Sequence, residues 1–325
     1  MASKKTVLVL GATGGIGGEV ARQLRDAGFL VRALHRDAGR VTAQNDGFSW
    51  VQGDAMNGDD VRRAAEGASI LVHAVNPPGY RNWGKLVLPM VENSIAAARA
   101  AGARIVLPGT VYNYGPDAFP VLHEDSPQNP LSRKGSIRVE LERRLRAAAA
   151  SSGVRSLVVR AGDYFGPRAG NNWFSQGLVK PGQPVRTISN PGRPGVGHQW
   201  SYLPDVATTM VKLIEREEAL PDFAAFHMAG HWDEDGTRMV NAIRRVVAGA
   251  TGGAEPKVRA FPWWALGIAS PFVPLFRELK EMRYLWQAPI RMENRKLVAV
   301  LGSEPYTPLE EAVRATLMGL GCIGV

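Results

Sequence analysis

Cysteine is nearly absent from this chain: Cys322 is the only one among 325 residues. That excludes a disulfide framework or a cysteine-built metal site within one chain, and it makes a reducing, cytoplasmic setting the expectation. Long apolar runs are missing too. The longest, FPWWALGIASPFVPLF over 261–276, is interrupted by Pro262, Pro271 and Pro274 and falls short of the roughly 20 residues a membrane-spanning helix needs. The opening MASKKTVLVLGATGG has only a short apolar stretch, stopped at once by glycines, and reads as a first strand rather than a secretory signal. No run of five basic residues occurs, although Lys and Arg outnumber Asp and Glu by 39 to 30. Nucleic acid is therefore not the expected partner, and the surplus suits an anionic phosphate-bearing cofactor. Among the six histidines, His227 and His231 stand four apart with Gly230 between them and no carboxylate to complete a ligand set. No metal is expected. No Gly-x-Ser-x-Gly turn is present, which sets the corresponding hydrolases aside.

What the chain does have is a hydrophobic content of 45%, enough for one large or two modest cores. Its first 160 residues alternate short β-branched runs with alanine-rich helical ones. TVLVLGA, LVRALHR, SWVQGDA, ILVHAV, RIVLPGT and SLVVRAG predict strands. GIGGEVARQLRDAG, GDDVRRAAEGA, VLPMVENSIAAARAAG and SIRVELERRLRAAAASSG carry apolar positions at helical spacing. Strand and helix in alternation mean an α/β fold, a doubly wound parallel sheet of Rossmann type. Beyond about residue 166 the texture turns to Gly, Pro and Trp. The expected division is a nucleotide-binding domain over 1–166, rejoined by 198–230, and a smaller, discontinuous substrate domain over 167–197 and 231–325.

The stretch VLVLGATGGIGGEVARQL sets Gly11, Gly14 and Gly17 directly after a strand and at the start of a helix. Gly11 permits the tight turn, Gly14 lets the backbone approach a pyrophosphate, and Gly17 allows close helix packing. Thr13, Gly15 and Ile16 complete the turn and the helix N-terminus, whose free N–H groups favour an anion. At the end of the second strand, where NAD-binding chains usually carry an acidic residue for the ribose, this one has His35 followed by Arg36. Loss of the carboxylate and gain of a guanidinium predict NADP(H) over NAD(H). In GDA, after the third strand, Asp54 and the Ala55 backbone are placed to meet the adenine. A loop-capping role for Asp54 is the alternative.

With GATGGIG, GDA, LVHAV, LPGTVYNYGPD, VVRAGDYFGP and QWSYLPDVATTMV in order, the chain resembles the extended, atypical short-chain dehydrogenase/reductases, the NAD(P)-dependent epimerase/dehydratase-like group. The resemblance implies hydride transfer at the nicotinamide, a substrate domain at the C-terminal side, and a possible homodimer. It places Ala74 and Val75, ending the fourth strand, along the cofactor, and assigns Thr110, five residues before Gly115, to holding the substrate oxygen. The family then uses a tyrosine with a lysine four residues on. In EDSPQNPLSRKGSIRVELE, Pro130 and Glu142 set the register, so Lys134 stands at the tyrosine position and Arg138 at the lysine position.

Three readings follow. Lys134 replaces the tyrosine as proton donor, with Arg138 holding the cofactor ribose beside it; isoflavone-reductase-like enzymes, similar in their glycine turn, also use a lysine there. The donor lies elsewhere, on Tyr112, Tyr164 or His198. Or hydride chemistry is lost, leaving a cofactor-binding or sensing protein. Phe261, Trp263, Trp264, Phe272, Phe276, Tyr284 and Trp286 suggest a small apolar or aromatic substrate, reduced at a carbonyl or conjugated alkene. A nucleotide-sugar substrate, as in the epimerase/dehydratase-like enzymes, remains the alternative, with Arg168, Arg186 and Arg193 as cations for it. NNWF and GHQWSY bracket the expected pocket mouth, so Asn76, Asp163, Trp173, His198 and Trp200 are candidate substrate contacts. Asp205 is expected to cap the helix that follows it.

Overall fold

A computed structural model describes residues 5–42, 46–77, 82–170, 172–269 and 280–324. Seven parallel strands form one sheet: β1 (Thr6–Leu10), β2 (Leu30–His35), β3 (Ser49–Gln52), β4 (Ile70–His73), β5 (Arg104–Gly109), β7 (Ser156–Arg160) and β11 (Phe223–His227). Their spatial order is β11-β7-β5-β4-β1-β2-β3. The central strands read as unbroken apolar runs because both faces are covered: Val7, Leu8, Val9, Ile70, Leu71 and Val72 are fully buried. Helices α1 (Gly15–Asp26) and α6 (Leu203–Ile214) pack on one face. Helices α3 (Gly58–Ala65), α4 (Trp83–Ala101) and α5 (Arg133–Ser152) cover the other. The chain reverses its winding between β1 and β4, and the crevice beyond the C-terminal ends of those strands is where such sheets bind ligands. The six strands expected from β-branched runs are all present. The seventh, FAAFH, has two alanines at its centre and lacks the β-branched signature of the others.

A second apolar cluster lies beyond that edge. It joins Phe165, Trp173, Phe174, Trp200, Trp286 and Leu317 with one face of α7 (Arg238–Ala250). A three-stranded ribbon, β12 (His231–Asp233), β10 (His198–Tyr202) and β8 (Asp163–Phe165), connects this cluster to the main sheet.

Two helix starts differ from expectation in ways that matter for the site. Helix α4 begins at Trp83, four residues before the apolar periodicity becomes visible, and α5 begins at Arg133. Ser132 caps α5 by accepting a hydrogen bond from the Gly135 N–H at 3.0 Å, so Lys134 lies in the first turn of a capped helix. Asp205 does not cap the helix it precedes in the sequence pattern. It lies within the first turn of α6, and its carboxylate accepts from the Thr307 N–H (2.7 Å) and hydroxyl (2.8 Å), tying the C-terminal segment to the nucleotide-binding half.

Candidate active site

The glycine turn has the geometry the spacing implies. Gly11 sits at φ +91°, and a β-carbon there would lie 2.6 Å from the Ala74 carbonyl oxygen. At Gly17 a β-carbon would lie 2.3 Å from the Gly11 oxygen, so the helix can approach the strand this closely only without a side chain. Gly14 differs: a β-carbon there would meet one backbone oxygen at 3.3 Å and otherwise project toward the cavity that Gly14 lines. A group with a pyrophosphate fits this cradle, because bare backbone and the unsatisfied N–H groups of α1 face the same space.

From that turn a cavity of about 730 Å³ runs across the β1–β4 crevice toward the aromatic cluster. Thr13, Gly15, Ile16, His35, Arg36, Asp54, Ala55, Ala74 and Val75 line its nucleotide half. The His35 ring accepts the Asp37 N–H through Nδ1 at 3.0 Å, so the residue at the ribose position is turned toward its own loop. Arg36 is exposed at the rim. Asp54 spends one carboxylate oxygen on the Met56 N–H at 2.9 Å, a loop bond, and still lines the cavity. Gly17 stays behind the turn as a packing position.

At the other end Asn76, Thr110, Tyr112, Arg138, Asp163, Tyr164 and Trp173 share the wall. Phe261, from the aromatic segment, joins them. Asn171, Phe272 and Phe276 lie outside the described residues. Arg138 stacks on the Trp83 indole at 5.1 Å and reaches toward Asn76 Oδ1 at 3.5 Å. Lys134, one turn earlier, is 4% exposed, with its amine 5.8 Å from the same ring. The Trp83 ring, rather than that amine, is part of the cavity wall. Trp200 is buried against Phe165, Phe174 and Trp286. His198 stands behind Asp163, its Nε2 2.9 Å from the carboxylate.

Thr110 donates its hydroxyl hydrogen to Asn113 Oδ1 at 3.0 Å. The Asn113 amide is oriented by Glu142, whose carboxylate accepts from Nδ2 at 2.9 Å. Glu142 in turn pairs with the fully buried Arg160. Beyond Arg160, His227 donates through Nδ1 to the Leu122 carbonyl, leaving Nε2 to accept the Tyr114 hydroxyl at 2.9 Å. Burial, with Arg160 beside it, pulls the His227 pKa down to about 3. The Tyr164 hydroxyl is buried without a hydrogen-bond partner among the described residues, and burial pushes its pKa up to about 12.

Sequence reasoning passed over His73, Trp83, Leu86 and Met90, which line the cavity floor. Trp83, Leu86 and Met90 fall at i, i+3 and i+7 of α4, a spacing that is legible once the helix start is known. The Ser94 hydroxyl donates to the Met90 carbonyl at 3.1 Å, so it must accept from His73 Nδ1 at 2.8 Å. Burial first, and Arg138 second, depress the His73 pKa to about 3, so this ring is neutral at physiological pH.

Residues 11–164 match a protein family described as NAD(P)H-binding. The chain is similar to a 3-diazoavenalumate denitrifying reductase of a Streptomyces species, with 33% identity over 181 residues covering 50% of this chain and 58% of the relative. A (4-alkanoyl-5-oxo-2,5-dihydrofuran-3-yl)methyl phosphate reductase of Streptomyces griseus is 39% identical over 98 residues, 30% of this chain and 32% of the relative. The chain thus spans little more than half the length of the first of these curated relatives and about a third of the second. Among solved structures, a UDP-glucuronic acid 4-epimerase from Bacillus cereus in complex with NAD superposes with a TM-score of 0.72 at 15% identity, over 97% of this chain and 98% of that one. At that identity the likeness is one of fold.

Proposed function

We propose that this chain, an atypical member of the short-chain dehydrogenase/reductases with the NAD(P)-dependent epimerase-like fold, is an NADP(H)-dependent reductase. Its substrate is a small, apolar or aromatic carbonyl compound or conjugated alkene. The observation that carries this reading is the single cavity that starts at the glycine turn and ends among Trp173, Phe261 and Tyr112. Bound at the turn, the reduced nicotinamide cofactor supplies the hydride. Arg36 at the rim favours a 2′-phosphate, and His35 leaves no carboxylate to oppose it. Arg138 stands where the family carries lysine. It cannot act as a base, so its work is to bind the ribose and polarise. Lys134, packed with Arg138 against Trp83, adds positive potential behind that wall rather than a direct handle on the substrate. Thr110 and Tyr112 line the substrate end.

The relatives named above support reduction in this site: one is named for a diazo compound, the other for a 5-oxo-2,5-dihydrofuran, an unsaturated lactone. The aromatic end also favours an apolar substrate over a nucleotide sugar, because of the two lining cations Arg36 sits at the nucleotide rim and Arg138 is taken up by the cofactor ribose, which leaves none to clamp a second pyrophosphate. The test is NADPH oxidation with aldehydes, ketones and enones, beside calorimetric titration of NADPH, NADH and UDP-glucose. Turnover of an aromatic enone with NADPH is expected. Tighter binding of NADH than NADPH, or turnover of UDP-glucose, overturns the reading.

A further inference from the structure

Asp163 and His198 form a pair in which one member touches the cavity and the other does not. Asp163 opens β8, just after the turn that follows β7, and lines the main cavity beside Tyr164. His198 opens β10, which runs parallel to β8 with Trp200 opposite Asp163. That register brings two residues 35 apart in sequence to 2.9 Å, Nε2 to Oδ2, with the histidine 8% exposed. The imidazole lies flat on the Trp286 indole, centroids 3.7 Å apart and planes 6° from parallel, with the edge of Trp200 at 5.0 Å. An imidazole so clamped keeps its orientation toward the carboxylate, and an indole face accepts the ring in its cationic form.

Behind the pair is a second, much smaller cavity of about 20 Å³, lined by Val111, Gly162, Asp163, His198, Gln199 and Leu285, among others. It is large enough for one water. Gln199 cannot rotate into it, since its amide donates to the Met228 and Ala229 carbonyls and its oxygen accepts from the Met292 N–H. Asp163 is therefore a partition: the cavity of the proposed site on one side, a histidine and a water-sized space on the other.

We propose that Asp163 and His198 are the proton relay of the reductase, replacing the tyrosine this chain lacks. This rests on the reductase reading. As hydride adds to the substrate carbon, the C=O or C=C π pair moves to the oxygen or to the adjacent carbon. The His198 Nε2–H passes to the Asp163 carboxylate, and the carboxyl so formed gives that atom its hydrogen. The neutral imidazole is then reprotonated from solvent. Two electrons and one proton leave the hydride donor together, one further proton leaves His198, and the substrate gains two hydrogens. Asp163 acts on the substrate directly, and His198 acts through it.

Other charged or titratable groups face the pair. Tyr164 and Tyr284 feel the Asp163 charge, and burial pushes both to about 12, outside the working range. Arg138, whose charge acts on Tyr164, stays cationic. Asp233, opposite His198 in β12, accepts the Arg238 and Met239 N–H groups with its two oxygens. The pH limb assigned to the pair is thus one on which the rate falls as pH rises.

The experiment compares wild type with Asp163→Asn, His198→Phe and the double variant, using NADPH with cinnamaldehyde, cyclohexenone and acetophenone. Phenylalanine retains the stack on Trp286, and asparagine retains shape, so folding is preserved. Expected are a fall in kcat of about 100-fold or more in each single variant, from the lower end of the general acid range upward, and a double variant no worse than the poorer single one. NADPH affinity should stay within about twofold, and the pH limb and solvent deuterium effect should disappear in both. Independently of turnover, NMR titration of the His198 ring with NADP+ bound should show its proton affinity falling at least tenfold in Asp163→Asn. Wild-type turnover that survives either substitution within about threefold, or a His198 titration indifferent to Asp163→Asn, overturns the relay alone. No NADPH oxidation by wild type with any of the three compounds overturns the reductase reading and the relay with it.

Discussion

Thr110 gives its one hydroxyl hydrogen to Asn113, across 3.0 Å, and the orientation of the Asn113 amide leaves no alternative direction for that bond. Thr110 lines the cavity, and with that hydrogen engaged its hydroxyl oxygen keeps only acceptor capacity. A substrate carbonyl needs a donor, so Thr110 must turn away from Asn113 to supply one, while a hydroxyl product finds its acceptor ready. Behind Asn113, Glu142 accepts from the amide that takes the Thr110 hydrogen, and Arg160 pairs with Glu142.

Glu142→Gln leaves the Arg160 guanidinium buried without its counter-charge and lets the Asn113 amide flip. Breaking such a pair costs about 3–5 kcal/mol. Urea unfolding should show a loss of that order at unchanged m-value. Stability equal to wild type would mean that the pair is not the buried one described.

Arg36→Ala removes the expected charge-assisted contact to the 2′-phosphate, worth about 1.5–3 kcal/mol. The Kd for NADPH should rise by roughly 10-fold or more, and that for NADH should stay within about twofold. Calorimetric titration of both cofactors reads the difference directly. Equal losses for the two would assign Arg36 to something other than the phosphate.

Gly17→Ala forces a methyl group to 2.3 Å from the Gly11 oxygen, whereas at Gly15 the nearest atom is the flexible end of Leu203 at 3.3 Å. The first substitution should cost about 1–3 kcal/mol and displace the turn enough to weaken NADPH binding at least tenfold. Gly15→Ala should be milder in thermal unfolding, because a side-chain end moves more readily than backbone.

Acid should weaken the fold through its neutral buried histidines. His73 and His227 have pKa values lowered to about 3 and His231 to about 4, in each case by burial first. Below about pH 6.5 the unfolded chain takes up protons these rings refuse, so stability is whole above that pH and is lost as pH falls toward 4 and 3. Each such ring costs about 2 kcal/mol at pH 5. Both nitrogens of His231 are buried without hydrogen-bond partners among the described residues, and its ring packs on Tyr306 and Phe165. His231→Phe should be neutral or stabilising at pH 7 and should flatten the pH dependence by one proton, as measured by urea midpoints between pH 5 and 8.

Local chemistry was enough to read the nucleotide half. Whether Gly11 can turn or Gly17 can pack depends on atoms a few residues away, and a strand buried on both faces is an apolar run whatever surrounds it. The boundary of α5 was harder, because Ser132 and Gly135 start the helix before any apolar repeat appears. FAAFH, whose two central alanines give no β-branched signal, joins the sheet by pairing with β7.

By itself, then, the order of residues determined a parallel sheet with a phosphate-cradling turn, and the replacement of a phenol and an amine by Lys134 and Arg138. Which of those cations meets the cavity was decided only in three dimensions, where Trp83, from another helix, packs against both and itself forms the wall. The meeting of Asp163 with His198 was decided there as well. Side chains 35 positions apart come together because two strands pair in one register and an indole from a third segment holds the ring flat. Such contacts depend on packing between distant segments, which leaves no periodic trace in any one of them.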